Sequence, residues 1–365
     1  MTALYRLFRK IFKNSLRGNR VGRVIIIAIF LNIFFGTLFW LAERNVQEGL
    51  TYLDAIWWAM VTMTTVGYGD FFAQTAVGRF IISYPCMLLG IGIIGYLVGV
   101  VAENMIERIS KRKRGLMNIS ESGHIIICNF PNTDKILRII EELSMSTSYR
   151  DVRYVLVTDM IEELPEELLS RKVLFVRGDP VREEILMRAN IRECAGVFIL
   201  AERPGNPVSD TKTFAIGTQI EMIEREISKS INTVVELVNK DNLKMMQRSR
   251  VDGIVSADGI LDGLMVQEFL YPGVHDIIHQ IITNTVGSQF YIFDTKLDGY
   301  RVADIQMAVL KHPSNLQIIG ICRDGNSLLN PSKEERLLKE DKLIMLAEKP
   351  SDFRSVEEDI LSAKK

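Results

Sequence analysis

The residues Thr65-Val66-Gly67-Tyr68-Gly69-Asp70 are suited to chemistry carried by the backbone. A potassium ion sheds its water only where other oxygens replace it, and stacked rings of inward-facing carbonyls can do that. The chain must then turn its carbonyls to one side at successive residues. Glycine enters left-handed backbone conformations at little steric cost, which accounts for Gly67 and Gly69. One copy supplies only part of each ring, so the motif predicts a symmetric tetramer. The plain alternative is a glycine-rich surface turn. Context argues against it, because the string lies between two apolar spans and follows a short helix-like segment.

Those neighbouring elements are what must hold such a loop in place. Val24 to Leu41 is apolar apart from Asn32 and Thr37, about 18 residues and just long enough to span a bilayer. A signal peptide is set aside: the preceding region is long, no small-residue cleavage site follows, and a second span comes later. Tyr52 to Thr64, with Trp57 and Trp58, is too short to cross and too apolar for an exposed loop. It reads as a re-entrant helix, with irregular backbone after it that must be buried in protein or line water. Its carboxyl end would aim a negative dipole at the ion path. Phe80 to Ala102 is the second span. Arg6, Arg9, Lys10, Lys13, Arg17, Arg20 and Arg23 precede the first span, and Lys111 to Arg114 follow the second. By the positive-inside rule both ends are cytoplasmic, in a multi-pass protein of the cell (inner) membrane.

The whole chain has 365 residues and a net charge of −1, which gives no reason to expect a nucleic-acid partner. Cys86, Cys128, Cys194 and Cys322 are scattered, which argues against a zinc ribbon or disulfide framework. Beyond Gly115 to Ser122, short apolar runs alternate with amphipathic stretches. The runs are His124 to Phe130, Tyr154 to Thr158, Val173 to Val176, Val197 to Leu200, Thr233 to Val238 and Gly253 to Val255. Between them lie helical patterns such as Asp134 to Leu143, Glu183 to Asn190 and Thr211 to Glu226. This alternation predicts a doubly wound parallel sheet, which binds ligands beyond the carboxyl ends of its strands. The first turn, Cys128-Asn129-Phe130-Pro131-Asn132-Thr133, lacks G-x-G-x-x-G, and Asn132 or Thr133 can cap the helix after it. Asn129 in that turn and Asp159 at the end of the second strand are candidate cofactor contacts. An acid at Asp159 suits a ribose hydroxyl or simply closes a strand-end turn. The loop Ala201 to Asp210 could close over an adenine nucleotide with Arg203 on phosphate, or be a variable surface loop. His275 and His279, at i and i+4, could share a metal, with half-buried interface histidines as the alternative.

The chain resembles the potassium-channel pore family through T-V-G-Y-G-D in its two-span setting. The cytoplasmic part resembles the regulator-of-potassium-conductance (RCK) domain over nearly all of His124 to Lys365. The likeness rests on His124-Ile-Ile-Ile-Cys128, Gly178-Asp179-Pro180, Arg188-Ala-Asn-Ile-Arg192 and Val251-Asp-Gly-Ile-Val-Ser256. The resemblance implies a two-span α-helical tetrameric pore followed by an α/β Rossmann-like N-lobe, a helical crossover and a small α+β C-lobe. The boundaries follow as 1–23 basic segment, 24–109 pore module, 110–122 linker, 123–256 N-lobe, 257–287 crossover and 288–365 C-lobe. The resemblance also implies an octameric RCK ring beneath the homotetramer, with Met117 a candidate internal start for four further copies. Gly90 resembles the inner-helix hinge. Close packing of small residues is the alternative reading, drawn equally for Gly92, Gly95 and Gly99. Leu97 and Val98 could form an apolar constriction that gates by dewetting. Calcium-gated relatives use carboxylates at positions matching Asp179 and Glu236, but the next acid is replaced here by Val238. Two carboxylates are thin for a hard cation wanting six or more oxygens.

The reading is a potassium channel gated by an effector, an adenine nucleotide (NAD or ADP) in preference to a divalent cation such as calcium, and not an enzyme. No span carries the repeated arginines of a voltage sensor. A membrane-anchored NAD-dependent oxidoreductase is the alternative, weakened by the absent glycine fingerprint. A transporter regulatory subunit would lack its own filter. Leu97→Asp should change open probability in single-channel recordings, and an unchanged value would remove Leu97 from the gate.

Overall fold

An unbroken apolar run makes the first element. The computed structural model describes residues 20–146, 148–285, 287–313, 315–348 and 352–362, so Arg6 to Arg17 lie outside the described residues. The first helix, α1 (Arg20–Glu43), begins earlier than the apolar run because Arg20 and Arg23 continue the same helix. It and Val77–Lys113 are the two helices long and apolar enough to cross a membrane among the described residues. Between them lies α2 (Tyr52–Met63), started by a capping box in which Thr51 and Asp54 satisfy each other's backbone amides. α1 and α2 approach closely at Gly36, where a Cβ would fall 2.8 Å from the Ile56 Cα. Beside it Phe39 stacks on Trp58 with ring centroids 3.7 Å apart.

The second span starts as a π-helix (Val77–Ser83) and continues as α3 (Tyr84–Lys113). Proline at position 85 has no N–H and its ring crowds the carbonyl four residues back, which favours a widened turn just before it. The Ser83 hydroxyl donates to the Gly78 carbonyl, five residues back, at 2.8 Å. α3 also runs well past Ala102, since Glu103 to Lys113 are helix formers, with Glu107 and Lys111 paired at 2.7 Å. Gly90 is buried, and a Cβ there would lie 2.5 Å from the Met63 Cα and 2.7 Å from its carbonyl oxygen. At Gly92, Gly95 and Gly99 a Cβ would meet nothing within 4 Å. Close packing in this chain therefore falls on Gly90.

The chain divides between Lys111 and Arg112 into two compact units. The second holds a parallel sheet of β1 (Ile125–Cys128), β2 (Tyr154–Thr158), β3 (Leu174–Arg177), β4 (Gly196–Ile199), β5 (Asn232–Leu237) and β6 (Gly253–Ser256), in order β3-β2-β1-β4-β5-β6. The order reverses between β1 and β4, which is where such sheets open a crevice. Every residue of β1 is buried, as expected of a central strand covered on both faces. One apolar cluster, including Ile126, Val176, Ile199 and Ile220, packs on one face and another, including Ile127, Ile136 and Leu168, on the other. The flanking helices are α4 (Thr133–Met145), α5 (Glu166–Ser170), α6 (Glu183–Arg188) and α7 (Ser209–Ile227). β1 is shorter than the apolar run because Asn129 turns left-handed at φ 71°.

The crossover forms α8 (Ile260–Leu270) and α9 (Val274–Ile282), joined through Tyr271-Pro272-Gly273 with Gly273 at φ 103°. The C-lobe has an antiparallel sheet in order β7-β10-β8-β9: β7 (Gln289–Asp294), β8 (Leu316–Arg323), β9 (Asn326–Leu329) and β10 (Lys342–Ala347). α10 (Val302–Lys311) and α11 (Asp352–Ser362) complete it. The Asp324-Gly325 turn has both residues left-handed, at φ 51° and 75°, as two-residue hairpins favour. It creates β9, a short exposed strand whose sequence carries no apolar alternation to announce it.

Gly90→Ala should lower the yield of folded channel in size-exclusion chromatography, because α3 must move off the end of α2. Gly95→Ala should leave the yield unchanged.

Candidate functional site

The motif Thr65–Gly69 continues directly from α2. The Thr65 amide donates to the Thr62 carbonyl at 3.1 Å, and the Val66 and Gly67 amides both reach the Val61 carbonyl, at 3.0 and 3.3 Å. Thr65, Gly67 and Gly69 have positive φ of 61°, 60° and 79°. This alternation lets carbonyls of successive residues share one side. The glycines account for two of the three positions, and left-handed Thr65 carries no sequence signal. A non-glycine residue there costs about 1–3 kcal/mol and persists only where its surroundings hold it. Val66 and Tyr68 are exposed in the single chain.

Support comes from behind this loop. The Trp57 indole N–H donates to Asp70 Oδ2 at 2.8 Å, and its ring stacks on Tyr68 at 5.9 Å between centroids. Further out, fully buried Glu43 at the end of α1 accepts from the Gln74 amide (3.1 Å), the Thr75 amide (3.0 Å), the Thr75 hydroxyl (2.7 Å) and Gln47 Nε2 (3.2 Å). Gly78 is required beside it, since a Cβ there would lie 2.1 Å from Glu43 Oε1. Sequence reasoning missed Glu43. Its one signal was an acid closing an apolar span. Leu97 is half-buried and Val98 exposed on α3, so the chain leaves the expected constriction residues open to other copies.

In the second unit the strand ends bring several predicted residues together. Asn129 bridges the switch point: its amide donates to the Val157 carbonyl at 2.9 Å and its Nδ2 to the Leu200 carbonyl at 2.8 Å. Asn132, not Thr133, caps α4, accepting from the Lys135 amide at 2.8 Å. Asp159 and Asp179 meet at one cation, the Lys212 ammonium, 3.2 and 3.9 Å away, with Glu202 closer at 2.6 Å. Burial works against that charge, but Glu202 and Asp159 outweigh it and raise the Lys212 pKa above its ordinary value. Asp179 also accepts from the Val181 amide at 3.1 Å, so it closes a turn as well. Glu236 is held separately, by Lys135 and by the Ala201 amide (2.9 Å). Arg203 is exposed, with its backbone bridged to Ser209 Oγ at 3.1 Å. Asp210, buried and unforeseen, accepts from the Val238 and Asn239 amides at 2.8 and 3.0 Å and fixes the end of β5.

The two carboxylates matched to a calcium site, Asp179 and Glu236, thus each face a different lysine. His275 and His279 share a face of α9, exposed in the single chain, with ring centroids 6.4 Å apart. Among the described residues no group of three or more His, Cys, Asp or Glu side chains could hold a metal ion.

Comparison with known proteins agrees with this division. A family model described as "Ion channel" matches residues 26–107, and the RCK domain of the slowpoke-like calcium-activated potassium channels matches residues 120–235. The chain is 25% identical over 94% of its length to the calcium-gated potassium channel TvoK of Thermoplasma volcanium, covering 96% of that protein. It is also 25% identical over 80% of its length to probable potassium channel protein 2 of Methanocaldococcus jannaschii, covering 83% of it. A solved structure of the GsuK channel bound to NAD aligns with 93% of this chain at 14% identity and a TM-score of 0.45, and the chain spans 58% of that structure. The chain joins an ion-channel module to an RCK domain. More narrowly, it is homologous to RCK-gated prokaryotic potassium channels, and that homology supports a ligand-gated potassium channel and not an enzyme.

Glu43→Ala should strand buried amides at Gln74 and Thr75, each costing about 1–3 kcal/mol. The purified channel should then lose its folded form at a lower temperature than wild type, while Glu43→Gln, which keeps an acceptor oxygen, should lie between them.

Proposed function

We propose that four copies surround one ion path, that their RCK domains join four more in an octameric ring, and that an adenine nucleotide bound at the β1/β4 crevice sets the open probability. The protein sits in the cell membrane with both termini cytoplasmic. The observation that carries the pore reading is the left-handed alternation at Thr65, Gly67 and Gly69 at the end of α2, with Val66 and Tyr68 exposed. A single loop cannot encircle an ion, and four-fold repetition closes the ring of carbonyls.

For the effector, the GsuK channel was solved bound to NAD, and TvoK is named as calcium-gated. The crevice favours the nucleotide. A calcium ion needs six or more oxygens, whereas Asp179 and Glu236 here face different lysines. Asp159 follows β2 at the strand end, where an acid suits a ribose hydroxyl, and exposed Arg203 on the loop after β4 suits phosphate. A nucleotide gates only if it binds the open and closed rings unequally, and about 1–3 kcal/mol of coupling is ordinary.

Planar-bilayer recordings with NAD, ADP and calcium applied separately to the cytoplasmic face test this. NAD or ADP should change open probability in wild type, and Asp159→Asn should weaken the apparent affinity about tenfold or more, the loss of a hydrogen bond to a charged group. A channel that answers calcium alone would overturn the nucleotide assignment. One that passes sodium as readily as potassium would overturn the filter.

A further inference from the structure

The chain between the inner helix and the first strand of the sheet is fastened along its length. The carbonyl of Lys113, the last residue of α3, accepts from the Leu164 amide at 2.9 Å, and its ammonium pairs with Glu166 at 2.6 Å. The Gly115 carbonyl accepts twice, from the Arg177 amide at the edge of β3 (3.0 Å) and from Arg188 Nη2 (2.7 Å). The other guanidinium nitrogen of Arg188 donates to the Arg177 carbonyl at 3.2 Å, so one side chain clamps the segment to the sheet edge. Gly115 is buried at φ 64°, and a Cβ there would lie 2.5 Å from the Arg177 amide nitrogen. Further on, the Ile119 amide donates to the Arg188 carbonyl (2.8 Å), Asn190 Nδ2 to the Glu121 carbonyl (2.7 Å) and the Gly123 amide to the Glu193 carbonyl (2.7 Å). Ile119 packs against one of the sheet's apolar clusters.

We propose that Lys113–Gly123 is a docked strap rather than a slack tether, and that Arg188 is the positioning residue that couples ring and pore. The strap caps the end of the β3 edge, where the Arg177 amide would otherwise be open to another chain. Lys113, the last residue of α3, is itself bonded within this unit, so a displacement of β3 or α6 acts on the end of that helix. The sequence marks this segment only as a linker, and the fastening shows only when Arg188 and Gly115 are brought together. The coupling role rests on ring-driven gating.

Two measurements on the full-length channel test it. In hydrogen–deuterium exchange, the Gly115, Ile119 and Gly123 amides should be protected as well as those of β1, and free-linker exchange would overturn the strap. In bilayers, with whichever of NAD, ADP or calcium moves the wild-type open probability, Arg188→Ala should reduce the response about tenfold or more, the effect of losing two charge-assisted bonds. Conductance, potassium selectivity and the ligand-induced thermal shift should persist, which a merely structural role would not predict. Arg188→Lys should be intermediate, because an ammonium cannot span both carbonyls in the guanidinium's fork geometry. A Gly-Gly insertion after exposed Met117, past the Gly115 clamp, should leave the response unchanged, whereas a slack tether would be lengthened and shift it. An unaltered Arg188→Ala response, or a shifted insertion response, would overturn the proposal. A wild-type channel silent to all three ligands counts against the effector reading, and the exchange data then decide the strap.

Discussion

The constraint on which the pore depends is that carbonyls facing an ion path cannot also be hydrogen-bonded from that side. Everything that holds Thr65 to Gly69 must therefore act on amides and side chains from behind. The end of α2 does this at one end, where the Val61 carbonyl gathers two amides. Trp57 does it at the other, bonded to Asp70 and stacked on Tyr68. Glu43 extends the support outward by tying the Gln74–Thr75 turn to α1. A buried carboxylate accepting several bonds is tolerable because its lone pairs are satisfied, and it rigidifies what it binds. The same logic explains Gly36, Gly78 and Gly90, each set where a side chain would push apart elements that must touch.

The second unit solves a different electrostatic problem. Parallel strands bring Asp159, Asp179, Glu202 and Glu236 toward one end of the sheet, and like charges there repel. Lys212 and Lys135 offset them, so the crevice carries its own cations. An incoming metal ion must displace an ammonium that is already well placed, whereas a ligand bearing hydroxyls and phosphates can bond to acids and bases together. That contrast weighs more on effector choice than the number of acids does.

The elements were largely legible. Unbroken apolar runs announced the spans and the strands of the parallel sheet. The boundaries moved where a feature of one residue intervened: left-handed Asn129 shortened β1, Pro85 widened the start of the second span, and helix formers after Ala102 lengthened its end. β9 was missed because four exposed residues on an edge need no hydrophobic pattern. Of the candidate residues, Asp159 and Asp179, read from the sequence for separate ligands, both lie near Lys212, and His275 and His279 are exposed in the single chain.

By itself the sequence determined the features that act within a few residues or by bulk transfer from water: the glycines of the Thr65–Gly69 loop, the apolar helices and the strand–helix alternation. Tertiary structure alone decided the partners of charged and polar groups. Glu43 and Thr75, Lys135 and Glu236, Lys212 and Asp159, and Arg188 and Gly115 lie far apart in the chain and meet only in the fold. Apolar burial is non-directional and leaves a periodic trace, whereas a hydrogen bond or ion pair depends on position and angle, which spacing along the chain does not encode.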